Sequence, residues 1–226
     1  FIEHPELRPP FLCLVASGGH SHLVMMKDHG EYDILGQTRD DAAGEAFDKV
    51  ARAIGLGYPG GPKIDRTAQE GNADAIRFPQ AKIADAAYDF SFSGLKSAVL
   101  NYLNHCECKH IPVVVPDLAA SFQKAVVETL VSHTMRAAEE FHCSQIAIAG
   151  GVASNSLLRR EMQRQCEERG VHFYRPSPIL CTDNAAMISC AGYYMLQKGI
   201  RSGMDLNAEP NLPLGDRSRR FHAGQR

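Results

Sequence analysis

The chain has 226 residues, 44% hydrophobic and 22% charged, which fits one large globular domain or two small ones and excludes a fibre or a mostly disordered chain. Its net charge of −2 supplies no overall basic field, so a nucleic-acid partner has to be met by a local patch or with another chain's help. No apolar run approaches the roughly 20 residues of a membrane helix, and seven cysteines without framework spacing point to a reduced, cytoplasmic protein.

The chain opens Phe1-Ile2-Glu3-His4-Pro5, with neither Met nor a targeting pattern. The expectation is that a segment precedes it and that this is the C-terminal part of something larger. Leu12–Ala16 reads as a buried strand ended by Ser17-Gly18-Gly19. His22–Met26 and Tyr32–Thr38 follow as strands across short turns, an antiparallel meander. The period then becomes helical through Ala43, Ala46, Phe47, Val50 and Ile54, with Asp40 and Asp41 placed to cap and Gly55 and Gly57 to stop the helix.

Residues 57–117 read as an irregular insertion: a Gly57-Tyr58-Pro59-Gly60-Gly61-Pro62 turn cluster, a short helix from Asp65 to Gly71, and a loop Phe90–Lys96 leading into a helix. Asp117 is placed to cap a long helix bearing Leu118, Phe122, Val126 and Leu130. Ser144–Ala149 is a strand, Gly150–Asn155 a turn, and Leu158, Met162 and Cys166 mark the next helix. Val171–Tyr174 is a strand, and Cys181-Thr182-Asp183-Asn184 opens a last helix with Met187, Ala191 and Tyr194 inward.

The order β-β-β-α, insertion, α-β-α-β-α predicts an α/β fold, a mixed sheet flanked by helices. It is the order of a ribonuclease-H-like lobe of the actin, sugar-kinase and Hsp70 type. The expected division is a lobe over residues 1–215 with its helical insertion, then a flexible basic tail over 216–226 carrying Arg217, Arg219, Arg220 and Arg226. A modest phosphate contact by that tail is weighed against a plain disordered end.

Several constellations carry chemistry. Ser17-Gly18-Gly19 lets backbone N–H groups approach an anion, although a Gly-Gly pair alone is also an ordinary tight turn. Gly150-Gly151-Val152-Ala153-Ser154-Asn155 lies between strand and helix, where open α/β sheets bind ligands, and there binding outweighs mere packing. Asp41, Glu45 and Asp48 fall on one helix face, where like charges favour a ligand, a metal or simple solvation. Asp183 at a helix start reads first as a cap and otherwise as a metal ligand. His20 and His22 point the same way on a strand. His105-Cys106-Glu107-Cys108-Lys109-His110 lacks zinc-site spacing and reads as an exposed loop with a modest chance of adventitious metal binding.

Six segments in order, Val15–His20, Asp40–Lys49, Tyr58–Pro62, Phe90–Lys96, Gly150–Asn155 and Cys181–Met187, closely resemble the TsaD family of tRNA N6-adenosine threonylcarbamoyltransferases, in its bacterial branch. The resemblance implies an acyltransferase that moves the threonylcarbamoyl group from threonylcarbamoyl-adenylate to N6 of adenosine 37 in tRNAs reading codons that begin with A. It implies one metal ion, iron or zinc, held by two histidines of an H-x-x-x-H motif upstream of this chain and by Asp183. It implies substrate binding by Val15, Ala16, Ser17, Gly18, Gly19, Asp48, Gly61, Asp65 and Asn155. The implied partners are tRNA, a TsaB-type paralogue and a TsaE-type ATPase. No catalytic residue is nominated. Because the histidine pair is absent, the isolated chain is expected to bind metal weakly and to be inactive alone. The rival readings are a non-catalytic nucleotide-binding subunit and an ATP-dependent phosphotransferase of the same fold.

Overall fold

A computed structural model describes residues 1–80, 86–208 and 214. The strands β1 (Phe11–Ala16), β2 (Ser21–Asp28), β3 (Glu31–Gln37), β4 (Gln145–Ala149) and β5 (His172–Tyr174) form one sheet in the order β3-β2-β1-β4-β5. Short turns make β1, β2 and β3 antiparallel. Helical returns make β4 parallel to β1 and β5 parallel to β4. The mixed sheet expected from the sequence is therefore present, with β1 at its centre.

The pleat divides β1 between two faces. Leu12, Leu14 and Ala16 join the main core, while Phe11, Cys13 and Val15 face the other way. On the core face lie α1 (Ala43–Ala53), α2 (Gly60–Ala68), α4 (Val115–Glu140) and α5 (Ser156–Glu168), which contribute Phe47, Ile64, Phe122 and Leu158, each essentially fully buried. Each such side chain contributes about 1.5–3 kcal/mol by leaving water. The opposite face is thinly covered. A small cluster of Leu7, Phe11, Met26 and Ala147 sits there, and α6 (Ala185–Gln197) buries no residue fully. Met187, Ala191 and Tyr194 point toward the sheet as expected, but they line an open cleft of about 1230 Å³ instead of closing on it.

Four local expectations are corrected. Asp40 and Asp41 do not cap α1, whose N-cap is Ala42 without a side-chain bond. Asp40 instead turns to α3 (Ser93–Lys109), accepting the N–H groups of Phe92 at 2.9 Å and Ser93 at 3.2 Å and the hydroxyls of Ser91 and Ser93 at 2.6 Å each. Asp117 lies inside the first turn of α4, whose N-cap is Val114, and accepts the Asn72 N–H at 2.8 Å. The short helix begins at Gly60, ahead of Asp65, because the Asp48 carboxylate accepts the Gly60 N–H at 2.7 Å. His105 to Lys109 form the last turns of α3 rather than a loop, and His110 ends the helix in the left-handed region at φ 53°.

Helix α2 packs against both α1 and α4, so part of the segment 57–117 belongs to the main core. Arg217, Arg219, Arg220 and Arg226 lie outside the described residues, and with them the basic tail.

Candidate functional site

Separated segments meet at the C-terminal ends of β1 and β4. The Ser17–Gly19 turn follows β1 and closes on itself: Ser17 N–H donates to the His20 carbonyl at 2.7 Å, and His20 N–H donates to the Ser17 hydroxyl at 3.1 Å. The N terminus of α1 rests against it, with Gly44 N–H donating to the Ser17 carbonyl at 3.1 Å. A Cβ at Gly44 would lie 2.5 Å from that carbonyl oxygen, so only glycine permits the approach. One α1 turn later Asp48 holds the start of α2 through Gly60. From α2, Asp65 reaches α5, accepting the Ser156 hydroxyl at 2.6 Å and its N–H at 3.1 Å. The circuit closes where Gly150, at φ 90°, packs so tightly on the Ala16 carbonyl that a Cβ would collide with it.

A second group of glycines behaves differently. A Cβ added to Gly18, Gly19, Gly61 or Gly151 would meet no atom within 4 Å. Neither crowding nor a positive φ accounts for glycine there. A side chain at any of the four would enter open space. Gly18 and Gly19 are exposed, and their N–H groups make no hydrogen bond with the described residues. They are donors ready for an anion.

The predicted binding residues divide by what their side chains do. Asp48 uses one oxygen on Gly60, and its other accepts no bond among the described residues. Asp65 is committed by both oxygens to Ser156. Asn155 is buried and committed at both ends: its Oδ1 accepts the Leu158 N–H at 2.9 Å as the N-cap of α5, and its Nδ2 donates to Gln123 Oε1 at 2.9 Å. Ala16 turns its side chain into the core and offers the site only backbone. Val15 lies on the opposite sheet face, lining the cleft under α6.

The expected acidic triple does not share one helix face, because Asp41 lies ahead of the N-cap of α1; it shares Lys49 with Glu45, each at 2.7 Å, while Asp48 is separately engaged. The second oxygen of Asp41 is buried without a partner among the described residues. His20 and His22 do lie side by side, with ring centroids 5.3 Å apart. Burial, then the neighbouring His20, holds the His22 imidazole below its ordinary pKa.

Asp183 precedes α6 and is exposed. Capping falls to its neighbour: Asn184 Oδ1 accepts the Met187 N–H at 2.9 Å. Asp183 therefore accepts no hydrogen bond from the described residues and is a free oxygen donor, a fit for a single metal ligand. No group of three His, Cys, Asp or Glu side chains able to hold a metal occurs among the described residues, so this chain's described part does not complete a metal site.

Sequence reasoning missed the role of Asp40, which carries the Asp40–Lys49 segment to the Phe90–Lys96 segment across 52 positions. It also missed Arg159, whose guanidinium spans two loops of the site. No local pattern announces either.

Comparison with known proteins places this arrangement. The fold resembles that of full-length HypF in its phosphate- and nucleotide-bound form, with TM-score 0.64 and 13% identity over 88% of this chain and 41% of that one. It also resembles HypF of T. kodakarensis, with TM-score 0.53 and 19% identity over 70% of this chain and 20% of that one. These likenesses concern the fold alone. Proteins named tRNA N6-adenosine threonylcarbamoyltransferase from Clostridium perfringens (strain 13 / Type A) and Clostridium botulinum (strain Hall / ATCC 3502 / NCTC 13319 / Type A) are 60% and 59% identical over 217 residues, 96% of this chain. The chain spans 64% of the length of each of these relatives. Residues 1–190 match the model of one family throughout, and the chain belongs to that family, TsaD, the tRNA N6-adenosine threonylcarbamoyltransferases.

Proposed function

We propose that this chain forms part of an enzyme that transfers the threonylcarbamoyl group from threonylcarbamoyl-adenylate to N6 of adenosine 37 in tRNAs reading codons that begin with A. The observation that carries the reading is the closed circuit from the Ser17–Gly19 turn through Gly44, Asp48, Gly60, Asp65 and Ser156 to Gly150, along which Gly18, Gly19, Gly61 and Gly151 each border open space.

The chemistry asks little of a nucleophilic side chain. The donor is a mixed anhydride, already activated. The adenosine N6 attacks the carbamoyl carbonyl, the bond from that carbon to the phosphate oxygen breaks, adenylate leaves, and N6 loses a proton. Rate comes from positioning and from donors aimed at developing negative charge. Gly18 and Gly19 offer unpaired N–H groups to the phosphate or the threonyl carboxylate. The free oxygen of Asp48 is placed for a ribose hydroxyl or the threonyl ammonium. Asn155 and Asp65 act through the scaffold, holding the glycine turn, since their polar atoms are already engaged. Asp183 is the residue of this chain that would hold the iron or zinc, with two histidines from the remainder of the longer protein. That ion supplies Lewis-acid stabilisation when bound.

A chain of net charge −2 is expected to share tRNA binding with a TsaB-type paralogue and a TsaE-type ATPase, in the cytoplasm. No helix among the described residues is long and apolar enough to cross a membrane.

The test is mass spectrometry of unmodified tRNA incubated with the full-length protein, its partners and the adenylate, beside an Asp183→Ala variant. Modification of adenosine 37 by the parent but not the variant is the expected result. A parent that stays inactive, while the same partners work with an established transferase, overturns the reading in favour of a non-catalytic subunit.

A further inference from the structure

Arg159 hydrogen-bonds through its side chain both to the Gly150–Asn155 turn and to the loop that leads to Asp183. It lies one turn into α5, half-buried. Its Nε donates to the Ala153 carbonyl at 2.6 Å, inside the short helical turn Gly151–Ser154. Its Nη2 donates to the Pro176 carbonyl at 2.6 Å and contacts the Cys181 sulfur at 3.3 Å. Cys181 is buried, and its Sγ–H donates in turn to the Ser177 carbonyl at 3.5 Å. The loop from Pro176 to Cys181 is thus curled around one sulfur and pinned to one guanidinium.

Two features set this arginine apart from its neighbours on the same helix. Arg160 and Arg164 reach toward Glu161, and Arg164 also toward Glu168, as exposed surface pairs do. Arg159 makes no ion pair among the described residues; its acceptors are two carbonyls and a sulfur. A guanidinium suits this task because its N–H donors are fixed in one plane and point in different directions within it, so one side chain holds two backbones at a set separation. Lysine has a single charged nitrogen on a flexible stem. Beyond the bonds within its own loop, the 175–177 stretch is also attached to the N-terminal segment: His4 Nε2 lies 2.9 Å from the Arg175 carbonyl, and Ser177 N–H donates to Glu3 at 2.6 Å. Arg159 supplies the bond on the site's own side.

We propose that Arg159 is a positioning residue that sets the Asp183 loop against the Gly151–Ser154 turn, so that the carboxylate of Asp183 and the ligand held at the turn share one frame. The catalytic consequence rests on the transferase reading above; the mechanical coupling does not. Losing it lets the two loops move independently, and a displacement of about 1 Å at a reacting centre costs on the order of a hundredfold in rate.

The experiment uses the full-length protein and two variants, Arg159→Lys and Arg159→Gln. Hydrogen exchange is followed by segment, transfer to tRNA is measured with partners present, and AMP is the binding probe. In Arg159→Gln the expected result is faster exchange in both 151–155 and 177–184, with the β1 and α4 amides and the melting temperature little changed. The kcat falls on the order of a hundredfold while KM for tRNA holds, and Arg159→Lys, able to reach one carbonyl at a time, is intermediate. Unchanged exchange in 177–184 in both variants overturns the proposal. So does uniformly accelerated exchange throughout the chain in both, which marks Arg159 as a general stabiliser. If the parent transfers nothing, the functional reading fails, yet the exchange pattern still decides the coupling.

Discussion

The carboxylate of Asp65 on α2 holds Ser156 on α5 by two bonds at once, at 2.6 Å to the hydroxyl and 3.1 Å to the N–H, across 91 positions of sequence. This pair ties the helix carrying Gly61 to the turn ending at Asn155. Hydrogen bonds donated to a charged acceptor contribute roughly 1.5–3 kcal/mol each, net of the water they replace. Asp65→Ala is therefore expected to lower the stability of the full-length protein by about 1–3 kcal/mol and to weaken AMP binding as well. Urea denaturation and titration calorimetry measure the two effects. A variant that keeps its stability but loses binding would place Asp65 directly on the ligand instead.

The two classes of glycine predict opposite outcomes. Gly18→Ala and Gly19→Ala add a methyl to open space, so thermal stability should stay within about 0.5 kcal/mol of the parent while ligand binding falls. Gly44→Ala and Gly150→Ala drive a methyl into the Ser17 and Ala16 backbones and should cost roughly 1–3 kcal/mol or more. Paired melting curves and AMP affinities separate the classes. Equal destabilisation by all four would mean the space before the Ser17–Gly19 turn is not open.

Asp40 predicts an acid-side dependence. Partial burial alone would raise its pKa, but the Ser91 and Ser93 hydroxyls and the Phe92 and Ser93 N–H groups outweigh it and hold the carboxyl below its ordinary value. A group depressed on folding contributes stability that is present above its unfolded pKa and is lost as pH falls through the folded one. Asp40→Ala should cost about 1 kcal/mol at neutral pH, as loss of a helix cap does, and its deficit against the parent should shrink in acid. Denaturation at pH 7 and near pH 3 reads both quantities.

His133 predicts a second window, closer to neutrality. Its ring stacks on Phe90 at 5.3 Å, and its Nδ1 is buried without a partner among the described residues. Burial, then the charge of Arg136, holds its pKa below 6.5. Its neutral form is favoured by folding, so stability declines as pH falls below that unfolded value. His133→Phe should flatten the dependence between about pH 6.5 and the native pKa, checked by urea midpoints across that range. A variant with the parent's slope there would assign the dependence to another group.

Asp183 tests the separation of capping from ligation. Since Asn184 caps α6, Asp183→Asn should leave stability within about 0.5 kcal/mol of the parent, while Asn184→Ala should cost about 1 kcal/mol. Metal content of the full-length protein, measured by plasma emission, should fall for Asp183→Asn and hold for Asn184→Ala.

The elements of this protein were legible in its sequence because they rest on local periodicity. Leu12, Leu14 and Ala16 alternate, and Ala43, Ala46, Phe47 and Val50 recur at helical spacing, so strand and helix were readable before any packing was known. The segments that form the site were legible as Gly-rich turns at element ends. What each polar side chain does was not legible, because its partner is remote. Asp40 stands beside a helix start yet caps a helix 53 positions on, and Asn155 and Asp65 spend their polar atoms on Gln123 and Ser156. A carboxylate goes to whichever unpaired N–H the fold brings within reach, and only the tertiary structure decides which one that is. The same holds for Arg159: its chain position says that it is on a helix, and its place between two loops depends on how α5 lies against β5.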